Sequence, residues 1–163
     1  MAGSRRGATL DELRAIYEGR LGELTRVATA IVGDVDAASD AVQEAFVRAV
    51  RQRHTFDGRG SLNGWVWRIV VNTARDAQSR QKESPRAERS DEVADPDDSR
   101  RSLVREAIEQ LPERQRLVLF LRYYADLDYR SIAQAVAISE GTVAATLHSA
   151  HERLRRLLGE VRR

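Results

Sequence analysis

The chain contains no cysteine, which excludes a disulfide framework, a thiolate metal site and a cysteine nucleophile together. Lysine is almost as scarce: Lys82 stands alone, and every other basic residue is arginine. Arginine is the better fork for phosphate and guanine, although a GC-rich genome produces the same bias. No apolar run approaches the roughly 20 residues of a membrane span, and residues 1–8 lack the apolar core of a signal peptide. A cytoplasmic protein without membrane insertion is therefore expected. Gly58-Arg59-Gly60 is too short for a nucleotide-binding loop, and no pair of carboxylates falls in a plausible cleft. Histidine is limited to His54, His148 and His151. The last two are three residues apart, but a metal would need further ligands that the sequence does not offer. No catalysis, cofactor or metal is expected.

What is present is a chain of 163 residues, 42% hydrophobic and 32% charged, with a formal net charge of +2. That length allows one domain or two small ones. The charge is unevenly spread: residues 1–80 carry +2, residues 81–100 carry −3 and residues 101–163 carry +3. Two mildly basic blocks around an acidic one suit two nucleic-acid-facing modules on a tether. They equally suit plain solvated helix surface.

Along the chain the apolar period is helical and no segment alternates as a strand would. Residues 1–8 are expected to fray. Leu10, Leu13, Ile16, Tyr17, Leu21, Leu24, Val27, Ala28 and Ile31 define a first helix, ended by Gly33-Asp34. Asp36 is placed to cap a second, with Ala38, Ala41, Val42, Ala45, Phe46, Ala49 and Val50 as its stripe. The loop from His54 to Ser61 follows. Ser61 opens a third helix, Leu62 to about Arg80, carrying Trp65, Val66, Ile69, Val70 and Ala74. Residues 82–99 hold two prolines and most of the acidic excess, and read as a flexible linker. Beyond it Leu103, Val104, Ala107, Ile108 and Leu111 form a helix. Pro112 takes the first position of the next, with Leu117, Val118, Phe120, Leu121 and Tyr124 inward.

The last stretch, Asp128 to Leu158, reads as two helices with a very short turn. Asp128 caps the first, and Ile132, Ala133 and Val136 share one face. Ala137-Ile138-Ser139 makes the break, with Ser139 a second cap and Glu140 just inside the next helix, where a carboxylate suits the macrodipole. Val143, Leu147, Ala150, Leu154 and Leu157 carry its stripe. This is a helix-turn-helix whose second helix is a candidate reader of a DNA major groove. An ordinary αα-corner shows the same local pattern.

Three stretches in order resemble the extracytoplasmic-function (ECF) sigma factors of bacterial RNA polymerase. VGDVDAASDAVQEAFVRAV is similar to the family's second conserved helix, FDGRGSLNGWVWRIVVNTARDAQSR to its melting and −10-reading segment, and LPERQRLVLFLRYYADLDYRSIAQAVAISEGTVAATLHSAHERL to its −35-reading domain. Together they cover about residues 10–80 and 100–160. The resemblance implies an all-α protein of two small helical domains joined by a flexible acidic linker. Residues 9–81 would bind core polymerase and read and melt the −10 element, 82–99 would be the linker, and 100–163 would read the −35 element. Core polymerase, promoter DNA and an anti-sigma factor are the implied partners.

For core binding the expected residues are Asp40, Gln43, Glu44 and Arg48. Asp40, Gln43 and Glu44 form a polar ridge over a packed stripe, which suits a docking face and equally a solvated one. For −10 DNA they are Phe56, Arg59, Ser61, Asn63, Trp67, Arg68, Asn72, Arg75 and Asp76. Capturing unstacked bases calls for aromatic walls, donors for base edges and arginine for the backbone. Trp65 and Trp67, two apart, cannot both face one core; Trp65, in step with Ile69, is assigned inward and Trp67 outward. For −35 DNA they are Arg114, Arg130, Ser139, Glu140, Thr142, Ala144, Ala145, Thr146, His148, Ser149 and Arg153.

The recognition helix departs from the family, which commonly places Lys or Arg where this chain has Ala144, Thr146, Ser149 and His151. Ala137 stands where Gly is frequent. Either avidity through the polymerase offsets a weak −35 contact, or the helix reads thymine methyls and base edges through apolar and hydroxyl contacts. Three rivals to a sigma factor stand beside this reading. One is a sigma-like protein that binds polymerase or an antagonist with little or no −35 binding. The others are a stand-alone helix-turn-helix regulator dimerising on a palindrome and a scaffold of helical hairpins.

Overall fold

A computed structural model describes residues 7–83 and 99–160, and among these every regular element is a helix. The N-terminal unit is α1 (Leu10–Val32), α2 (Val35–Gln52) and α3 (Leu62–Glu83), with a single 3₁₀ turn at Arg53–Thr55. The C-terminal unit is α4 (Ser99–Glu109), α5 (Glu113–Tyr123), α6 (Tyr129–Val136) and α7 (Glu140–Glu160).

The helix ends follow local chemistry. Thr9 and Glu12 cap α1 reciprocally: the Glu12 N–H donates to Thr9 Oγ1 at 3.2 Å and the Thr9 N–H to Glu12 Oε2 at 2.8 Å. Gly33 closes α1 in the left-handed region, φ 85°, its N–H reaching the Thr29 carbonyl at 2.7 Å. Asp34, not Asp36, caps α2, because it is the residue with extended backbone and a carboxylate on the Ala37 N–H at 2.7 Å. Pro112 precedes the first residue of α5 rather than occupying it. Lys82 and Glu83 continue α3, and Ser99 starts α4, so both ends of the expected linker are helical. Its middle, residues 84–98, lies outside the described residues, as do 1–6. Ala8, expected to fray, is buried, with its N–H on the Arg53 carbonyl at 2.9 Å.

Leu24, Val27 and Ala28 of α1, Ala38, Val42 and Ala45 of α2, and Val66, Trp67, Val70 and Val71 of α3 fill the first core. The second is built from Leu117, Val118, Leu121, Leu127, Ile132, Val143, Leu147 and Ala150. Tyr124, expected inward, is 44% exposed and lies tilted against Phe120, ring centroids 5.2 Å apart. The two cores are continuous, forming one cluster of buried side chains. The units meet where α3 packs on α6 and α1 on α5. There Ser61 Oγ and Ser131 Oγ lie 2.8 Å apart, and an Arg20 guanidinium N–H donates to the Ala125 carbonyl.

Candidate polymerase and nucleic-acid interface

On α2, Asp40 and Gln43 are exposed while Glu44 and Arg48 are half-buried. Arg48 donates to Glu44 at 2.5 Å, one helical turn back, and to Asp76 of α3 at 3.2 Å; Arg80 of α3 reaches Glu44 at 3.4 Å. The two carboxylates hold the Arg48 guanidinium above its ordinary pKa, the hydrogen bond it donates to Glu44 contributing most. Beside this network a groove of about 320 Å³ runs between the helices, floored by Ala37, Ala41 and Ala77 and rimmed by Asp40, Glu44, Arg80 and Gln81. Arg80 and Gln81 escaped the sequence reading. The four-residue step from Asp76 to Arg80 was the signal that could have found Arg80.

On α3, Arg68, Asn72, Arg75 and Asp76 share one side, and all but the half-buried Arg75 are exposed. Asp76 is tied to Arg48, so it is committed to holding α2 against α3 as well as bordering this ridge. Ser61 caps α3, accepting from the Gly64 N–H at 2.9 Å. In the loop before it, Arg59 is exposed; its backbone N–H donates to Asp57 Oδ1 at 2.9 Å. Asn63 is half-buried, its Oδ1 enclosed without a hydrogen-bond partner among the described residues.

The tryptophans reverse their expected places. Trp67 is 0% exposed and its Nε1 has no partner among the described residues, whereas Trp65 is half-exposed and tilted against Phe56, centroids 5.8 Å apart. The reason is the third neighbour. Trp67 lies one turn from Gly64, and Gly64 abuts α6, so this face of α3 is covered from both units. Phe56 and Trp65, not Trp67, form the accessible aromatic wall.

In the helix-turn-helix, Asp128 accepts from the Ser131 N–H at 2.7 Å. The Ser131 hydroxyl and N–H hydrogen bonds hold its carboxyl below the usual value, the hydroxyl bond contributing most. Ala137 adopts φ 56°, ψ 47°, and the Ile138 N–H reaches back to the Ala133 carbonyl at 3.0 Å. A helix can end this way only through a left-handed residue. Ser139 Oγ accepts from the Thr142 N–H at 3.1 Å and so caps α7.

Of the expected α7 readers, Ser139, Glu140, Ala144, Ala145, His148, Ser149 and Arg153 are exposed and Thr142 and Thr146 half-buried. The Thr146 hydroxyl donates to the Thr142 carbonyl at 2.7 Å, so its proton is engaged within the helix. Arg114 and Arg130 are exposed on α5 and α6. His151 packs against Tyr123, its Nε2 2.9 Å from the phenol oxygen.

The model of Sigma-70 region 2 matches residues 16–84, and that of Sigma-70 region 4 matches residues 101–154. The chain is 31% identical to the RNA polymerase sigma-H factor of Pseudomonas aeruginosa, over 78% of this chain and 76% of that protein. It is 30% identical to the ECF RNA polymerase sigma factor SigL of Mycobacterium tuberculosis, over 91% of this chain and 90% of that protein. Its fold is similar to that of the sigma factor RpoE crystallised with the anti-sigma factor NepR from Bartonella quintana. There the TM-score is 0.68 at 20% identity, over 92% of this chain and 98% of that one. With both regions matched in order, and with relatives at this identity over most of their length, the chain belongs to the ECF sigma factors of bacterial RNA polymerase.

Proposed function

We propose that this chain binds core polymerase through the α2 ridge and the α2–α3 groove, and directs it to promoters whose −10 and −35 elements it reads with separate units. The N-terminal unit, residues 9–81 with α3 running on to Glu83, captures −10 bases between the Phe56–Trp65 wall and the Arg68–Asn72–Arg75 ridge. The C-terminal unit, residues 100–163, lays the exposed face of α7 in the major groove at −35. An anti-sigma factor is the partner that would hold it inactive. The observation that carries the reading is an accessible polar face on each unit, bounded by capped helices, in the order of regions 2 and 4.

The −35 contact is the weaker of the two. Over the first turns of α7 the exposed side chains are those of Glu140, Ala144, Ala145, His148 and Ser149, and no arginine appears before Arg153. Phosphate neutralisation supplies most non-specific affinity, so avidity through the polymerase would have to hold α7 on its site. The test is run-off transcription of a genomic promoter pool by core polymerase with and without the protein, with the 5′ ends sequenced. New start sites sharing two upstream motifs support the reading. Binding to core without new starts favours a sigma-like antagonist, and no binding to core sinks the proposal.

A further inference from the structure

The aromatic wall of Phe56 and Trp65 stands just past a junction that its own stretch of chain does not hold by itself. Where α2 ends, the Arg53 guanidinium donates to the Val50 carbonyl and the Thr55 hydroxyl to the Gln52 carbonyl, both at 2.8 Å. The next carbonyl, that of Arg53, is met from the other end of the unit. It accepts the Ala8 N–H at 2.9 Å and the Phe56 N–H at 3.4 Å, one oxygen serving both donors. The longer bond is beyond the usual N–H···O range, so alone it holds Phe56 loosely. The turn that carries this oxygen is a single 3₁₀ element of three residues without a side-chain cap, and such turns have poor hydrogen-bond geometry. Beyond Phe56 the loop runs through Gly58 and Gly60, both at positive φ. Permissive residues of this kind leave the loop's departure from α2 to be set elsewhere.

The geometry points to residues 7–9 as a strap that positions the −10 aromatic wall, acting through the Arg53 carbonyl on Phe56. The strap's role rests on the −10 reading proposed above: Phe56 serves as a wall while its ring stays against Trp65, centroids 5.8 Å apart and planes tilted by 56°. One end of the strap is anchored by Thr9 and Glu12, whose reciprocal cap fixes the start of α1. Its middle is Ala8, only 6% exposed. At Gly7 a Cβ would stand 2.7 Å from His54 Cα and 2.8 Å from the Arg53 carbonyl oxygen. Both are backbone atoms of the 3₁₀ turn, so no flexible side chain can swing aside to make room. A larger residue must therefore lift the strap or shift the turn, and either movement disturbs the oxygen that holds Phe56. His54 and Thr55 are themselves exposed, and the strap supplies the backbone bond that their own side chains do not.

A double-substitution cycle tests the strap. It uses the full chain, core polymerase and a promoter duplex found by the run-off assay, with a fluorescent purine analogue in the −10 element that brightens on unstacking. Gly7→Val is expected to slow unstacking roughly fivefold, the worth of one backbone hydrogen bond, and to leave affinity for core unchanged. In a Phe56→Ala background, itself slow, the same change is expected to add nothing, because the strap acts through Phe56. Losses that multiply, or a Gly7→Val chain as fast as the wild type, overturn the strap. So does a loss of core affinity equal to the loss of unstacking, which would mark a general disturbance of the unit. Should Gly7→Val not fold, Gly7→Ala takes its place in the same cycle, its single methyl meeting the same backbone atoms. The parent reading fails by a separate result: if Phe56→Ala alone unstacks the −10 base as fast as the wild type, Phe56 is no base contact, whatever Gly7 does.

Discussion

Ala137 holds a backbone that disfavours every side chain. Its left-handed φ of 56° is what lets α6 stop after eight residues and α7 begin after three intervening residues. Relieving the Cβ strain by Ala137→Gly is expected to stabilise the fold by about 1 kcal/mol. That amounts to roughly 3 °C in the midpoint of thermal unfolding for a chain of this size; no rise would mean that the strain is already relieved. Asp128 makes a second prediction, set by pH. Its folded pKa is depressed by Ser131, so its stabilisation is present above the unfolded value of about 4 and disappears as pH falls through the folded one. Asp128→Ala should therefore cost about 1 kcal/mol at neutral pH, and the gap between variant and wild type should close below about pH 4. Melting curves across pH 3–7 check this. A gap that stays constant would show that the cap acts without its charge.

Caps such as Ser61, Asp128 and Ser139 could be read directly from the sequence, because a cap needs only its own neighbours. Trp65 and Trp67 could not. Two residues apart, they face different sides of α3, and only a partner helix more than 60 positions away decides which side is covered. Asp36 illustrates a smaller failure: two carboxylates two residues apart are equally good candidates until backbone angles choose Asp34.

At the scale of elements, the seven α-helices of the described residues were legible because each pairs a helical apolar period with a local start or stop signal. Errors fell at their ends, where Lys82 and Glu83 prolong α3 beyond its apolar stripe and nothing in their own chemistry announces it. The α7 helix carries the prediction at this scale. Its exposed Ala144 offers nothing to a phosphate. Ala144→Arg should tighten −35 duplex binding by the holoenzyme and steepen the log–log salt dependence by about one unit. Fluorescence anisotropy titrations at several salt concentrations measure that slope. An unchanged slope would place this face of α7 away from the DNA backbone. Between α2 and α3, the Arg48 and Arg80 pairs with Glu44 and Asp76 are at least a third exposed. Each contributes at most about 1 kcal/mol, so they orient the groove's rim more than they stabilise the pair of helices.

At the scale of the whole molecule, the order of the units could be read and their embrace could not. The acidic stretch from Lys82 to Ser99 suggested a tether between independent bodies, and charge patterning has no means of saying that the bodies touch. The seam is built from glycine, serine and glutamine, which in a sequence look like loop and solvated helix. Its apolar margin, with Leu127 and Ile132 almost fully buried, belongs equally to the second unit's own core. A contact made mostly of small polar residues leaves no hydrophobic periodicity behind.

That seam also sets a rule for assembling new specificities. Exchanging the C-terminal unit for another would keep Gly60, Ser61 and Gly64 but replace Ser131 and Gln134, the residues shaped to meet them. A chimera with a bulkier α6 would lose this contact between the units. Modules that look interchangeable by the elements they recognise are matched to each other by the surface each hides.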